Sequence, residues 1–537
     1  MKSKIVKTAG TSHTNLHRAT LKTQYDGFVT FWIFPTPVTG TSSAPRLADY
    51  DVRTHILHKS NKNCSMRNGT RLAALDLGSN SFRLEIGKFE NGQITRVEYH
   101  KEFVRQGGGL DENNMLSLDA MERGWSCLER FNERLTRFRK DHIRAVATQT
   151  LRQAENRDVF LTRACQILGF PIDVISGREE ARLIYQGVAN LLPRSSARRL
   201  VVDIGGRSTE LILGKNLDAN QLQSFQFGSV TWSMKFFPDG KLGNSAFKQA
   251  QIAAMAELDE ASQLYRPGKW DVAYGSSGTI GAIAEILTAA GQTPGIITRQ
   301  GLEWLKSRLV RAKYVDNLQI ETLKEERKPV LAGGLAVLIA IFDVLQISEM
   351  QHALGALRQG VMYDLLDREQ PTTDLRNTTV NNLMQKFAVD NAQATRVERT
   401  ALQLFRQYPL IEGMTKVRER TERKLRWAAR LHEIGAHISH SSYHRHGAYI
   451  MDNAEAPGFA LPELHNLSQL ILGQRGKLHK LDADFSEVPF CSQLLALRLA
   501  VILCHARRNP QMDGILLQRR LLPVLNFTLS VTREWAE

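Results

Sequence analysis

The chain has 537 residues, too many for one ordinary core, and its 42% hydrophobic and 23% charged content is that of a globular protein. The formal net charge of +15 points to a polyanionic partner such as nucleic acid, a phosphate polymer or a membrane surface. Residues 1–70 hold ten Lys/Arg against three Asp, a balance of +7, so the other 467 residues carry only +8. The cysteines Cys64, Cys127, Cys165, Cys491 and Cys504 form no C-x-x-C pair, which argues against a disulfide framework or a zinc ribbon and for a reducing cytoplasm. The longest apolar run, residues 330–342, is thirteen long and ends at Asp343, so it reads as a buried core helix rather than a bilayer span.

Residues 1–70 are rich in Ser, Thr, Asn and His without a sustained period, and read as a disordered or weakly ordered extension. The apolar stretch 28–34 is too short and too far in for a signal peptide. Met66 stands just before the first strand, which is what an upstream over-extension of the reading frame would leave. Residues 72–87, LAALDLGSNSFRLEIG, read as a buried strand, a tight polar turn and a second strand. Residues 94–99 continue this hairpin. Helical spacing runs over 117–138, with Met121, Leu128, Phe131 and Leu135 on one side. Short strands follow at 143–147 and 171–175. Ser176 and Glu179 form a capping box, so a helix runs from there through Tyr185.

Residues 199–214, RLVVDIGGRSTELILG, repeat the opening pattern. DLGSNSFRLEIG (76–87) and DIGGRSTELILG (203–214) share five of twelve positions, which predicts two similar half-domains, each offering a loop. A third loop, Gly275 to Thr279, lies between a strand and a helix beginning at Ile280, and such a helix N-terminus is an anion site. No GKS/GKT ending and no G-x-G-x-x-G fingerprint is present, which weakens P-loop and Rossmann readings. Beyond about 370 the pattern is helical (391–407, 423–437 and 490–507), with one last strand at 527–531.

Asp76 and Asp203 occupy matched strand ends. They either hydrogen-bond their own turns or meet a phosphate through a cation, and Mg²⁺ suits the second case. Glu210 leaves the second loop. Glu179 is the capping partner of Ser176, whereas Glu180 is either a surface carboxylate or a base for an attacking water. Arg152, after a strand, forks onto a phosphate or makes an exposed ion pair. His432, His437, His440, His444 and His446 fall within fifteen residues, but His432 and His437 diverge by about 140° on a helix. A bound metal, helix caps, core hydrogen bonds and anion contact all stay open there.

These motifs resemble those of the exopolyphosphatase / guanosine pentaphosphate phosphatase family: DLGSNSF (76–82), TLRQAEN (150–156), ISGREEARLIYQGV (175–188), VVDIGGRSTEL (201–211), GSSGTI (275–280), GALRQGVMYD (355–364), LHEIG (431–435) and HRHGAYI (444–450). The resemblance implies an α/β fold: two actin-like (ribonuclease H-like) half-domains around a cleft, over 71–185 and 186–370. A mostly α-helical HD-like domain (371–490) and a short partial C-terminal domain (491–537) would follow. It implies Mg²⁺-dependent removal of terminal phosphate, with Glu180 as general base and with Asp203 and Glu210, alongside Asp76, near metal and water. Asn80, Ser81, Arg152, Gly205, Gly206, Arg207, Ser208, Ser277 and Gly278 would hold phosphates. Arg207 departs from the small residue usual in the family, and would be strained if its φ were positive. His432-Glu433 replaces an HD pair, which speaks against metal chemistry in the helical domain.

Exopolyphosphatase activity on inorganic polyphosphate is the first expectation, because HRHGAYI resembles that branch. Guanosine pentaphosphate 5′-phosphatase, a stringent-response activity, is the alternative, because GWSCLERF (124–131) and SVTW (229–232) resemble the other. A polyphosphate-binding module with little turnover is a third reading, motivated by Arg207. A homodimer without nucleic acid, in the cytoplasm and with room for peripheral membrane contact, completes what the resemblance and charge imply.

Overall fold

The computed structural model describes residues 22–24, 28–32, 66–368, 372–408, 415–520 and 526–532. They form two units: the described residues of 62–379 with 455–463, and those of 1–61, 380–454 and 464–537.

The first unit holds two α/β lobes. In the first, the sheet order is Gln93–Glu102, Phe82–Glu90, Arg71–Leu77, Ile143–Ala147, Ile172–Val174. The first three strands are antiparallel, and the last two join in parallel. Arg71–Leu77 lies centrally, and its run Leu72 to Leu75 is fully buried, as a strand covered on both faces requires. The second sheet repeats the plan: Asp218–Phe225, Thr209–Lys215, Arg198–Ile204, Val272–Ser276, Glu349–His352, then an antiparallel edge, Ile296–Thr298. Even the register repeats. Asp76 stands opposite Arg83 in one hairpin, and Asp203 opposite Glu210 in the other.

The apolar run 330–342 lies within the helix Lys328–Leu345. It is long and apolar enough to cross a membrane, yet Leu335 to Phe342 are at most 1% exposed, so it forms the core of the second lobe. The cap expected at Ser176 holds, its hydroxyl accepting the N–H three residues on, and Ser117 caps its helix in the same way. Glu179 does not close a capping box, however. Its carboxylate takes the Arg182 guanidinium and the Gly458 N–H at 2.8 Å.

The helix Gly177–Leu191 runs six residues past the expected end, because it packs along its length on Leu357–Arg368. The two backbones touch. A Cβ on Gly360 would lie 1.8 Å from the Leu183 carbonyl oxygen, and one on Gly187 2.1 Å from that of Ala356. Beside this crossing Asp364 is buried among Arg144, Arg182 and Arg368. Burial alone would raise its pKa, but Arg368, Arg182 and Arg144 hold it well below the carboxylate range.

The second unit contains the helices Asn391–Arg406, Thr415–Arg430, Tyr443–Asn453 and Val488–Leu503. The boundary expected at 490/491 falls inside the last of these, whose Phe490 and Cys491 are both buried. The boundary at 370/371 lies outside the described residues. Lys22–Gln24 and Phe28–Trp32 form an antiparallel sheet with Asn526–Val531 and Ile515–Arg520. Part of the extension expected to be disordered is thus strand, and its residues 66–70 form a turn leading into Arg71–Leu77; the rest of it lies outside the described residues. The pairing gives the edge of Asn526–Val531 a partner, which local sequence alone does not announce. His432 follows the end of Thr415–Arg430, its Nδ1 2.7 Å from the Ala429 carbonyl oxygen, while His437 ends the short turn Ile434–His437. No set of three His, Cys, Asp or Glu side chains among the described residues converges to hold a metal ion.

Candidate active site

The two hairpin turns meet across a cleft. A Cβ on Gly206 would lie 3.2 Å from Ser79 Cβ and 3.6 Å from the Asn80 nitrogen. Each turn is braced by its own lobe. Asn80 and Ser79 carbonyls accept the N–H groups of Arg105 and Gly107, and Gly205 and Gly206 carbonyls accept those of Ser229 and Val230. Asp76, Asn80, Ser81, Glu180 and Asp203 line the cleft, together with Gly205, Gly206 and Ser208. The third loop contributes Ser277 and Gly278. Its helix, Ser277–Ala289, begins three residues earlier than expected, and Ser277 stands at φ 87°, a strained conformation of the kind found at functional sites.

Three expected residues lie behind the lining. Arg152 donates to the Ile175 carbonyl at 2.6 Å and pairs with Glu180 at 3.3 Å, which fixes the carboxylate. Glu210 accepts from the Ser224 hydroxyl at 2.8 Å through one oxygen; its other oxygen is buried without a partner. Arg207 has no positive φ, so the strain expected there is absent. Its guanidinium crosses to the other lobe and donates to the Gly107 carbonyl at 2.7 Å, so it neither enters nor plugs the cleft.

The site divides by charge. Asp76 is compensated twice, by Arg83 at 3.1 Å and by Arg358 at 3.4 Å. The other carboxylates are not so matched. Burial pushes Glu180 up to about 7, with Asp76 and Asp203 adding to the effect and Arg152 opposing it. Burial likewise pushes Asp203 up to about 6 and Glu210 well above its usual range. Cations missing from the sequence reading face them. Lys101, Arg83 and Arg327 line the cleft, and Arg327 lies so close over the third loop that a Cβ on Gly278 would meet it at 2.1 Å. Burial, then Arg327, Arg83 and Lys324, lower Lys101 to about 7. Arg83 was discoverable, because the internal alignment sets it against Glu210; Lys101 and Arg327 lie in no motif.

Residues 86–369 match the Ppx/GppA phosphatase family, and residues 375–537 match its domain III. The chain belongs to the Ppx/GppA phosphatase family. A relative from Vibrio atlanticus, named guanosine-5′-triphosphate,3′-diphosphate pyrophosphatase, is 39% identical over 465 residues, 86% of this chain and 92% of the relative. One of the same name from Aeromonas hydrophila is 41% identical over 447 residues, 82% and 89% of the two chains. An exopolyphosphatase from Cytophaga hutchinsonii superposes with a TM-score of 0.51 at 23% identity, covering 56% of this chain and 98% of its own, a likeness of fold. The duplicated lobes are thus the actin-like architecture of Ppx/GppA structures.

The residues fit a hard divalent cation. Asp203 and Glu210 are oxygen donors short of positive charge, and Glu210 keeps one buried oxygen orphaned. They do not close a cage by themselves, which suits Mg²⁺, an ion that takes one or two carboxylates and fills its shell with water and phosphate oxygens.

Proposed function

We propose that this Ppx/GppA family member removes the 5′-terminal phosphate of guanosine pentaphosphate by hydrolysis. The observation that carries this is the 39–41% identity, over more than four fifths of the chain, to relatives named for that nucleotide. It favours the nucleotide over inorganic polyphosphate, the first expectation above. Glu180, titrating near neutrality and held by Arg152, suits a general base. Water attacks the terminal phosphorus, its proton passes to Glu180, and the phosphoanhydride bond to the next phosphate breaks. Ser81, Ser208 and the backbone of the facing turns orient the terminal phosphate. Lys101, Arg83 and Arg327 offset the charge that builds on its oxygens. Mg²⁺ held at Asp203 and Glu210 would add charge neutralisation at the transferred phosphate.

Phosphate release from guanosine pentaphosphate, tripolyphosphate and long polyphosphate, with Mg²⁺ present, tests the reading. The nucleotide is expected to give the highest kcat/KM; a preference for long polyphosphate would overturn it. Glu180→Gln should lower kcat by roughly 10²–10⁴-fold while substrate still binds, and near-normal turnover would remove Glu180 as the base.

A further inference from the structure

A second cavity adjoins the phosphate cleft and shares Ser79, Asn80 and Val330 with it. Its chemistry is different. Val230, Met234, Phe237, Val315 and Pro329 give it apolar walls. Three carboxylates, Asp239, Asp316 and Glu326, stand around it with Arg105. All three are exposed, and none has a hydrogen bond or ion pair to its side chain among the described residues. The cavity is anchored to the catalytic loop, because the Arg105 N–H donates to the Asn80 carbonyl at 3.0 Å.

Unpaired carboxylates beside a site that gathers phosphates need a reason. A phosphate chain leaving the cleft in this direction would meet three like charges. A ligand with phosphates at one end and a flat, donor-bearing ring at the other would meet complementary surfaces at both. Guanine is such a ring. Its N1–H and 2-amino group present adjacent donors, which a carboxylate accepts with two oxygens, while its faces suit apolar walls. Adenine offers an acceptor at N1 and no 2-amino group, and would leave the carboxylates unsatisfied.

We propose that this cavity takes the guanosine of the substrate, with the carboxylates of Asp239, Asp316 and Glu326 reading the N1–H and 2-amino edge and Arg105 meeting the 3′ phosphates. This assignment rests on the nucleotide reading of the reaction. It gives the site a base specificity that the phosphate loops, which see only phosphates, cannot supply.

The test compares the full-length protein with the triple variant Asp239→Asn/Asp316→Asn/Glu326→Gln. Its three positions are exposed and unpaired, so the fold tolerates the change, as an unaltered melting curve would verify. kcat/KM is measured for guanosine pentaphosphate, its adenosine counterpart and tripolyphosphate. Wild-type protein is expected to prefer guanosine to adenosine by at least about tenfold, and the triple variant to lose that preference. Equal selectivity in variant and wild type, with guanosine pentaphosphate still hydrolysed, overturns the cavity assignment alone. Wild-type protein that releases phosphate from tripolyphosphate but not from guanosine pentaphosphate overturns the nucleotide reading itself.

Discussion

Arg152 is engaged within the protein, by the Ile175 carbonyl and by Glu180. Its cation opposes the burial that raises Glu180. Removing it should therefore move the Glu180 pKa further up, and with it the ascending limb of kcat/KM against pH. Arg152→Gln is expected to lose activity at pH 6 to 7 more than at pH 9; a uniform loss at every pH would show that Arg152 acts only by holding position. Asp76, Asp203 and the two facing turns were legible because their motif is local and occurs twice, whereas Glu180 was marked by the resemblance. The cations were not. Lys101 comes from the far strand of the first sheet and Arg327 from the turn before a core helix, and only folding sets them beside Asp203 and Glu180. Glu210 was found as an acid after a turn, but its buried, orphaned oxygen is a property of packing that no spacing encodes.

At the scale of elements, the start of Gly177–Leu191 was readable from its Ser176 cap, whereas its end was not. It is set by Leu357–Arg368, more than 160 residues away in the chain, and so by tertiary contact. The same contact buries Asp364 among three guanidinium groups. Asp364→Asn would keep the shape and leave those cations buried without their counter-charge. It should cost about 3–5 kcal/mol in chemical denaturation. A loss below about 1 kcal/mol would mean that water already compensates the arginines.

For the whole molecule, three buried carboxylates with raised pKa values couple stability to pH. The folded state holds protons that the unfolded chain, with ordinary carboxyl pKa values near 4, has already released. Their contribution is therefore full below about pH 4 and is lost as pH rises, through about 6 for Asp203 and about 7 for Glu180. With metal chelated, this contribution to the melting temperature should fall between pH 5 and 8, and Mg²⁺ should restore more of it at pH 8 than at pH 5. A Mg²⁺ effect that is equal at both values would count against a cation at these carboxylates. The two-lobe plan was visible in the repeated twelve-residue motif. The strand Phe28–Trp32 was not, since its partner Asn526–Val531 lies about 500 residues on and a five-residue FVTFW run cannot announce it; Lys22–Gln24 pairs with Phe28–Trp32 alone.

The contact between Gly187, Gly360 and the facing carbonyls also limits how the enzyme can move. Two helices touching backbone to backbone leave no side-chain layer to slide on, so shear at this crossing would be opposed by direct backbone contact. What remains is rotation about the crossing itself, a pivot. Glu180 lies seven residues from Gly187, about 10 Å along the helix, so it travels little, while the turns at the mouth swing furthest. A rotation of this kind would separate Ser79 from Gly206 and draw Arg207 away from the Gly107 carbonyl, while Glu180 would stay close to the crossing.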